Sequence, residues 1–301
     1  MPEFGNVSWD ELELMHHFSA ITYMTLGSRS DLRQMWQINI PKMAIHRSFL
    51  IHSLFSVAAL HMASSSPNNQ TSYTDRAIRH HNIALRTYSI ELKNITRDNS
   101  ASLISCAALI VLFAFGLAIS RPFEEPMKPI DELLGIFTLL RGLRLVVEQS
   151  WPWIQESDIG PLFVGRDVDK TIVLSDEVAN AFKQLEDRMQ LTISETDRNT
   201  YEPAIQILKD CFKVASSDDR NNGMVLSWSI SLSPEYIELL DSRQPVALVI
   251  LSYYAVSLNE IRDSWWVMGW GNKLIQEVYQ VVDDEWKSLL VWPMKKIGER
   301  T

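Results

Sequence analysis

The 301-residue sequence predicts an all-α fold: a single multi-helix bundle of nine to twelve helices that encloses a hydrophobic pocket and divides into two sub-bundles. Three observations predict it. Apolar residues recur at intervals of three and four along most of the chain, the spacing that lines one face of a helix. Clusters of Ser, Pro, Asn and Gly separate these stretches. Strand signals are confined to TIVL at 171–174 and MVLSWSI at 224–230, and neither is expected to build a sheet.

Taken in order, Ser8-Trp9-Asp10-Glu11 reads as a capping box that opens a helix carrying Leu12, Met15, Phe18, Ala20 and Tyr23, with Gly27 as its stop. A second apolar series runs from Phe49 to Met62 and ends in SSSPNNQ. A third helix starts near Tyr73 and turns Ala77, Ile78, Ala84, Leu85 and Tyr88 inward. Residues 106–119, CAALIVLFAFGLAI, are too few to span a bilayer, which takes about 20 residues, and enough for a fully buried helix. RPFEEPMKPI, at 121–130, is too rich in proline to be helical and reads as an exposed connector. Asp131–Val147 follows as a helix in which Gly135 and Gly142 suggest close approach of a neighbour, and 151–167 reads as irregular. Helical spacing returns over Asp176–Leu191 and Tyr201–Val214. SSDDRNNG, at 216–223, is the linker expected to part the sub-bundles of one domain covering 1–301. Ser233 caps a short helix that has Pro234 at its first position. Pro245–Met268, apolar nearly all round, is expected at the centre of the fold. Lys273–Leu290 is the last helix, ended by Trp292-Pro293.

Charge and composition exclude several functions. The net charge is −9 and no run of Lys or Arg occurs, so a phosphate backbone would be repelled and direct nucleic-acid binding is not expected. Cys106 and Cys211 lie in apolar contexts and read as buried, reduced thiols. The acidic N-terminus lacks an apolar signal region, which points to the cytoplasm or nucleus with no membrane span. All seven histidines precede residue 82, yet no His-x-x-x-His pair occurs, and His16 and His17 diverge by about 100° on a helix. They read as solvated or core-bonded; neither a metal nor a cofactor is expected. Asp283-Asp284-Glu285 reads as a solvated acidic edge, since adjacent acids on a helix point apart. No nucleophile elbow, phosphate loop or dinucleotide fingerprint is present.

Aromatic surface remains. Trp228, Trp265, Trp266, Trp270, Trp286 and Trp292, with Tyr253, Tyr254 and Tyr279, crowd the last quarter of the chain. Such rings either fill a core or line a cavity for a bulky apolar ligand, with a few hydroxyl or indole groups fixing its orientation. In SWWVMGWG, at 264–271, Gly269 and Gly271 are expected to supply the positive φ of a tight helix connector.

Three blocks carry a family likeness: ELELMHHFSAITYMTL near the start, QMWQINIPKMAIHRSFLIHSLFSVAALHMA at 34–63, and PVALVILSYYAVSLNEIRDSWWVMGWGNKLIQEVYQVVDDEWKSLLVWP at 245–293. Together they resemble the C-terminal regulatory domain of fungal zinc-cluster transcription factors, and most of all the sterol uptake control protein family. The resemblance implies an all-helical, dimeric ligand sensor with a deep apolar pocket for a sterol- or terpenoid-like molecule. It places that pocket beside Tyr253 and Tyr254 and along Trp265, Trp266, Met268, Gly269, Trp270 and Gly271. Phe113, Phe115, Met43 and His46 complete the candidate set. It further implies that a substitution in the glycine-bearing turn mimics loss of ligand. With two cysteines, the chain does not hold that family's six-cysteine DNA-binding module. The alternative is a stand-alone enzyme of secondary metabolism, a metal-independent cyclase, pericyclase or isomerase of a lipophilic polyene or terpenoid. Tyr253, Tyr254, His46 and His52 would be its proton donors or orienting groups.

Overall fold

The computed structural model describes residues 8–27, 29–120, 128–163, 172–215 and 222–299. Among them there is no strand, and the protein is all-helical. The helices are α1 (Trp9–Ala20), α2 (Ser30–Gln34), α3 (Ile40–Ala44), α4 (Ser48–Ser65), α5 (Gln70–Glu91), α6 (Ser100–Ser120), α7 (Pro129–Ile154), α8 (Asp176–Thr192), α9 (Glu195–Ala215), α10 (Asn222–Ser231), α11 (Pro234–Asp241), α12 (Pro245–Glu260), α13 (Trp270–Val281), α14 (Asp284–Lys287) and α15 (Val291–Gly298). Most of the expected linker at 216–223 and most of the connector at 121–130 lie outside the described residues.

The chain packs as two compact units. The first comprises residues 1–122, 139–164 and 264–266; the second comprises 123–138, 165–263 and 267–301. In the first, α4 is the hub: it packs on α1, α5 and α6. Its buried side chains, from Phe49 to Ala63, point in every direction. α5 buries one stripe, Ala77, His80, Ala84 and Tyr88, the spacing of an amphipathic helix. α6 begins at Ser100, earlier than the apolar run alone predicts, because SASLIS adds small uncharged residues that fit the same interior. By length and composition α4 and α6 pass the test for a membrane span, yet both are largely enclosed within this unit, as core helices are.

In the second unit α12 has every residue from Val246 to Asn259 buried. It packs on α9, α11, α13 and α15. Its central place matches expectation; its length does not. The helix ends at Glu260 and residues 261–269 are turns, so the twenty-four-residue helix expected over Pro245–Met268 is cut short where Asp263 and Ser264 favour turn over helix. α13 then starts at Trp270, earlier than Lys273. The chain turns extended at Val282 before Asp283 leads into α14. Pro293 does not end a helix: it sits in the first turn of α15, where its missing N–H costs nothing. MVLSWSI belongs to α10, and the first residues of the stretch expected to be irregular, Trp151–Ile154, continue α7.

Candidate functional site

Gly269 has φ +86° and stands immediately before α13, so the expected left-handed turn is present there. Gly271 plays another part. It lies within α13, and a Cβ on it would come 2.8 Å from the Ala255 carbonyl oxygen and 3.1 Å from Asn259 Cβ, so its bare backbone lets α13 lie directly on α12. Gly135 and Gly142 were expected to mark a close approach, but a Cβ at either meets nothing within 4 Å. That role falls instead to Gly116 in α6, where a Cβ would stand 2.7 Å from the Trp265 ring.

The aromatic stretch is shared between the units. Trp265 and Trp266 belong to the first, whereas Met268, Gly269, Trp270 and Gly271 belong to the second with Tyr253 and Tyr254. Within the first unit Trp265 stacks on His61, with centroids 5.0 Å apart, and its Nε1 donates to Thr25 Oγ1 at 3.1 Å. His61 Nδ1 pairs with Thr22 Oγ1 at 3.0 Å. Burial, reinforced by the neighbouring His17, lowers His61 to a pKa of about 4, so the ring is neutral at physiological pH. Trp266 meets Phe115 edge to face at 5.6 Å, and its buried Nε1 has no partner. Phe113 stacks on His81 at 3.9 Å, and burial holds His81 near 4 as well. Met43 is half-buried in α3; His46 is exposed in the turn before α4 and does not have the apolar surroundings expected of it.

Within the second unit the rings form a box. Trp228 stacks on Tyr254 at 4.3 Å, Phe137 stands edge-on to both at 6.0 and 6.1 Å, and Tyr236 stands edge-on to Trp228 at 5.9 Å. Phe137 is held there by the start of α7, where the Glu277 carboxylate accepts from Ile130 N at 2.8 Å. Most polar tips are engaged: Trp228 Nε1 donates to the Ala204 carbonyl at 2.8 Å, Tyr236 Oη to that of Ala247 at 3.2 Å, and Tyr253 Oη to that of Ala181 at 3.0 Å. Two are not. Tyr254 Oη and Ser257 Oγ, three residues apart on α12, are buried without a hydrogen bond of ordinary geometry, although the Ser229 hydroxyl is near enough to Tyr254 to oppose the effect of burial on its phenol. Burial raises the Tyr254 phenol well above its ordinary pKa, so it stays protonated. Trp270 is buried and Met268 is exposed.

A third cluster escaped the sequence reading. Glu11, His52 and His80, from α1, α4 and α5, place one ligand atom each within 4.8 Å of one another. The first two lie 41 positions apart, so no local motif announces the group.

Residues 13–121 match the family model described as the fungal specific transcription factor domain. The match runs from α1 through α6, and the aromatic quarter lies beyond it. A Zn(2)-C6 fungal-type transcription factor of Gibberella zeae is 27% identical over 312 residues, covering 95% of this chain and 61% of that protein. Sterol uptake control protein 2 of Candida albicans is 26% identical over 154 residues, covering 51% of this chain and 21% of that protein. The chain thus spans less than two thirds of the length of either relative.

Proposed function

We propose that this chain is the regulatory part of a fungal transcription regulator and that it binds a hydrophobic, hydroxyl-bearing molecule of sterol or terpenoid type. The fungal transcription factor domain and the zinc-cluster relatives support the regulatory role, and the name of the Candida albicans relative supports the sterol class. One observation carries the ligand reading: two hydroxyls, Tyr254 and Ser257, buried without a hydrogen bond of ordinary geometry on one face of a helix otherwise enclosed by apolar and aromatic side chains. Buried polar groups are ordinarily satisfied, and one left over invites a partner from a ligand. A sterol presents one hydroxyl on a large apolar body, which suits rigid rings flanking a few polar points. Binding would act by favouring one of two arrangements of the C-terminal helices, through its differential affinity for them.

Thermal unfolding of the purified chain with and without a 3-hydroxysterol tests this, alongside Tyr254→Phe. Removing an unsatisfied hydroxyl leaves the free protein as stable as before or more so. The same change removes one ligand hydrogen bond, about 1 kcal/mol or roughly fivefold in Kd. A sterol-induced rise in Tm that shrinks in Tyr254→Phe agrees with the proposal; no rise in the wild type at saturating sterol contradicts it. A homodimer in the nucleus or cytoplasm belongs to the same reading, and light scattering that gives the mass of one chain would overturn the dimer.

A further inference from the structure

Three helices of the first unit converge on a group that the ligand reading does not use. His52 Nδ1 and His80 Nδ1 stand 2.9 Å apart, and the two rings are stacked with centroids 5.1 Å apart and planes 23° from parallel. One carboxylate oxygen of Glu11 completes a triangle whose corners all lie within 4.8 Å. The rings are held from outside: Phe55, three residues after His52, meets His52 edge-on at 5.9 Å and His80 edge-on at 5.2 Å. Glu11 is held as well. Arg76, one turn before His80, donates to the Asp10 carbonyl at 2.9 Å and to Glu13 Oε2 at 2.9 Å, fastening the first turn of α1 to α5. Ser8 Oγ accepts from Glu11 N at 3.3 Å, so half of the expected capping box forms, while the Glu11 carboxylate reaches the two imidazoles.

We propose that Glu11, His52 and His80 bind a zinc ion. Two neutral imidazoles and a carboxylate are the donors of a zinc site with a fourth position left for water. Ligands about 2.05 Å from a tetrahedral ion are about 3.4 Å from each other. The two nitrogens are slightly closer than that and the carboxylate has up to 4.8 Å to close, so small side-chain rotations bring all three to ligand distance. Access is open on one side: His80 is buried, whereas Glu11 and His52 are half-buried. Because the three donors come from α1, α4 and α5, the ion pins the N-terminal helix to the hub of its unit.

Titration calorimetry with zinc chloride on the untagged, chelator-stripped chain, together with visible spectra after cobalt loading, tests it. One zinc per chain and the strong visible bands of four-coordinate cobalt are expected. Glu11→Gln and His52→Asn, both at half-buried positions, each weaken zinc by roughly tenfold or more and abolish those bands. His46→Asn, at an exposed histidine, leaves both readouts unchanged. Absence of stoichiometric zinc binding in the wild-type chain overturns the proposal, whatever the variants do. Binding undiminished in both Glu11→Gln and His52→Asn, with helical circular dichroism intact, overturns it equally.

Discussion

Single glycines separate space from strain in this protein. Gly135 and Gly142 face open space in the middle of α7, so Gly135→Ala and Gly142→Ala each gain about 0.5–1 kcal/mol from helix propensity, read as a raised urea midpoint. Gly116→Ala does the opposite. Its Cβ would lie 2.7 Å from Trp265, and overpacking of that kind outweighs the propensity gain by about 1–2 kcal/mol. The same scale sets the acid response. His61 and His81 are held near pKa 4 when folded and return to about 6.5 when unfolded, so below about 6.5 the unfolded chain binds more protons. Stability is complete above about pH 6.5 and falls as the pH drops toward 4, by about 1.4 kcal/mol per pH unit for each ring. Urea unfolding at a series of pH values between those limits checks the sign: a midpoint that rises on acidification contradicts it. None of this asymmetry was legible in the sequence. Gly116 and Gly135 look alike there, and only the long-range partner, a tryptophan about 150 residues away, distinguishes them.

Helices were far more legible than their ends. Apolar spacing located α5 and near-continuous apolar stretches located α4, α6 and α12, since burial of one face leaves a period in the sequence and burial all round leaves an unbroken run. The caps at Ser8 and Ser233 read out as side chains that accept from the third residue on. The end of α12 did not read out, because residues 261–268 contain neither Gly nor Pro and only Asp263 and Ser264 signal the turn. At the α12–α13 contact two glycines act differently. Gly269→Ala places a Cβ at φ +86°, costing about 1–2 kcal/mol without any clash. Gly271→Ala forces α13 off the backbone of α12 and costs about 1–3 kcal/mol. Because α12 carries Tyr254 and Ser257, Gly271→Ala is expected to weaken sterol binding more than Gly269→Ala at matched stability, measured by thermal shift.

For the molecule as a whole, fold class and family likeness were within reach of sequence, and the layout of the candidate site was not. Eight consecutive residues, SWWVMGWG, read as one wall of one chamber. The structure assigns Trp265 and Trp266 to one compact unit, where they meet the His61 and Phe115 rings, and Trp270 to the other, where it is buried at the start of α13, because the turns after α12 let neighbouring tryptophans go to different interiors. The Glu11–His52–His80 cluster was equally hidden, its members being distant in sequence and joined only by helix packing. The proposed function requires that this fold hold an apolar, hydroxyl-bearing guest. Organic extraction of the chain purified from a fungal host, followed by mass spectrometry, tests it most directly. A sterol- or terpenoid-class molecule near one per chain in the wild type, and depleted in Tyr254→Phe, is the predicted result. An extract without any such molecule, from a chain that also fails to take up added sterol, would contradict the account.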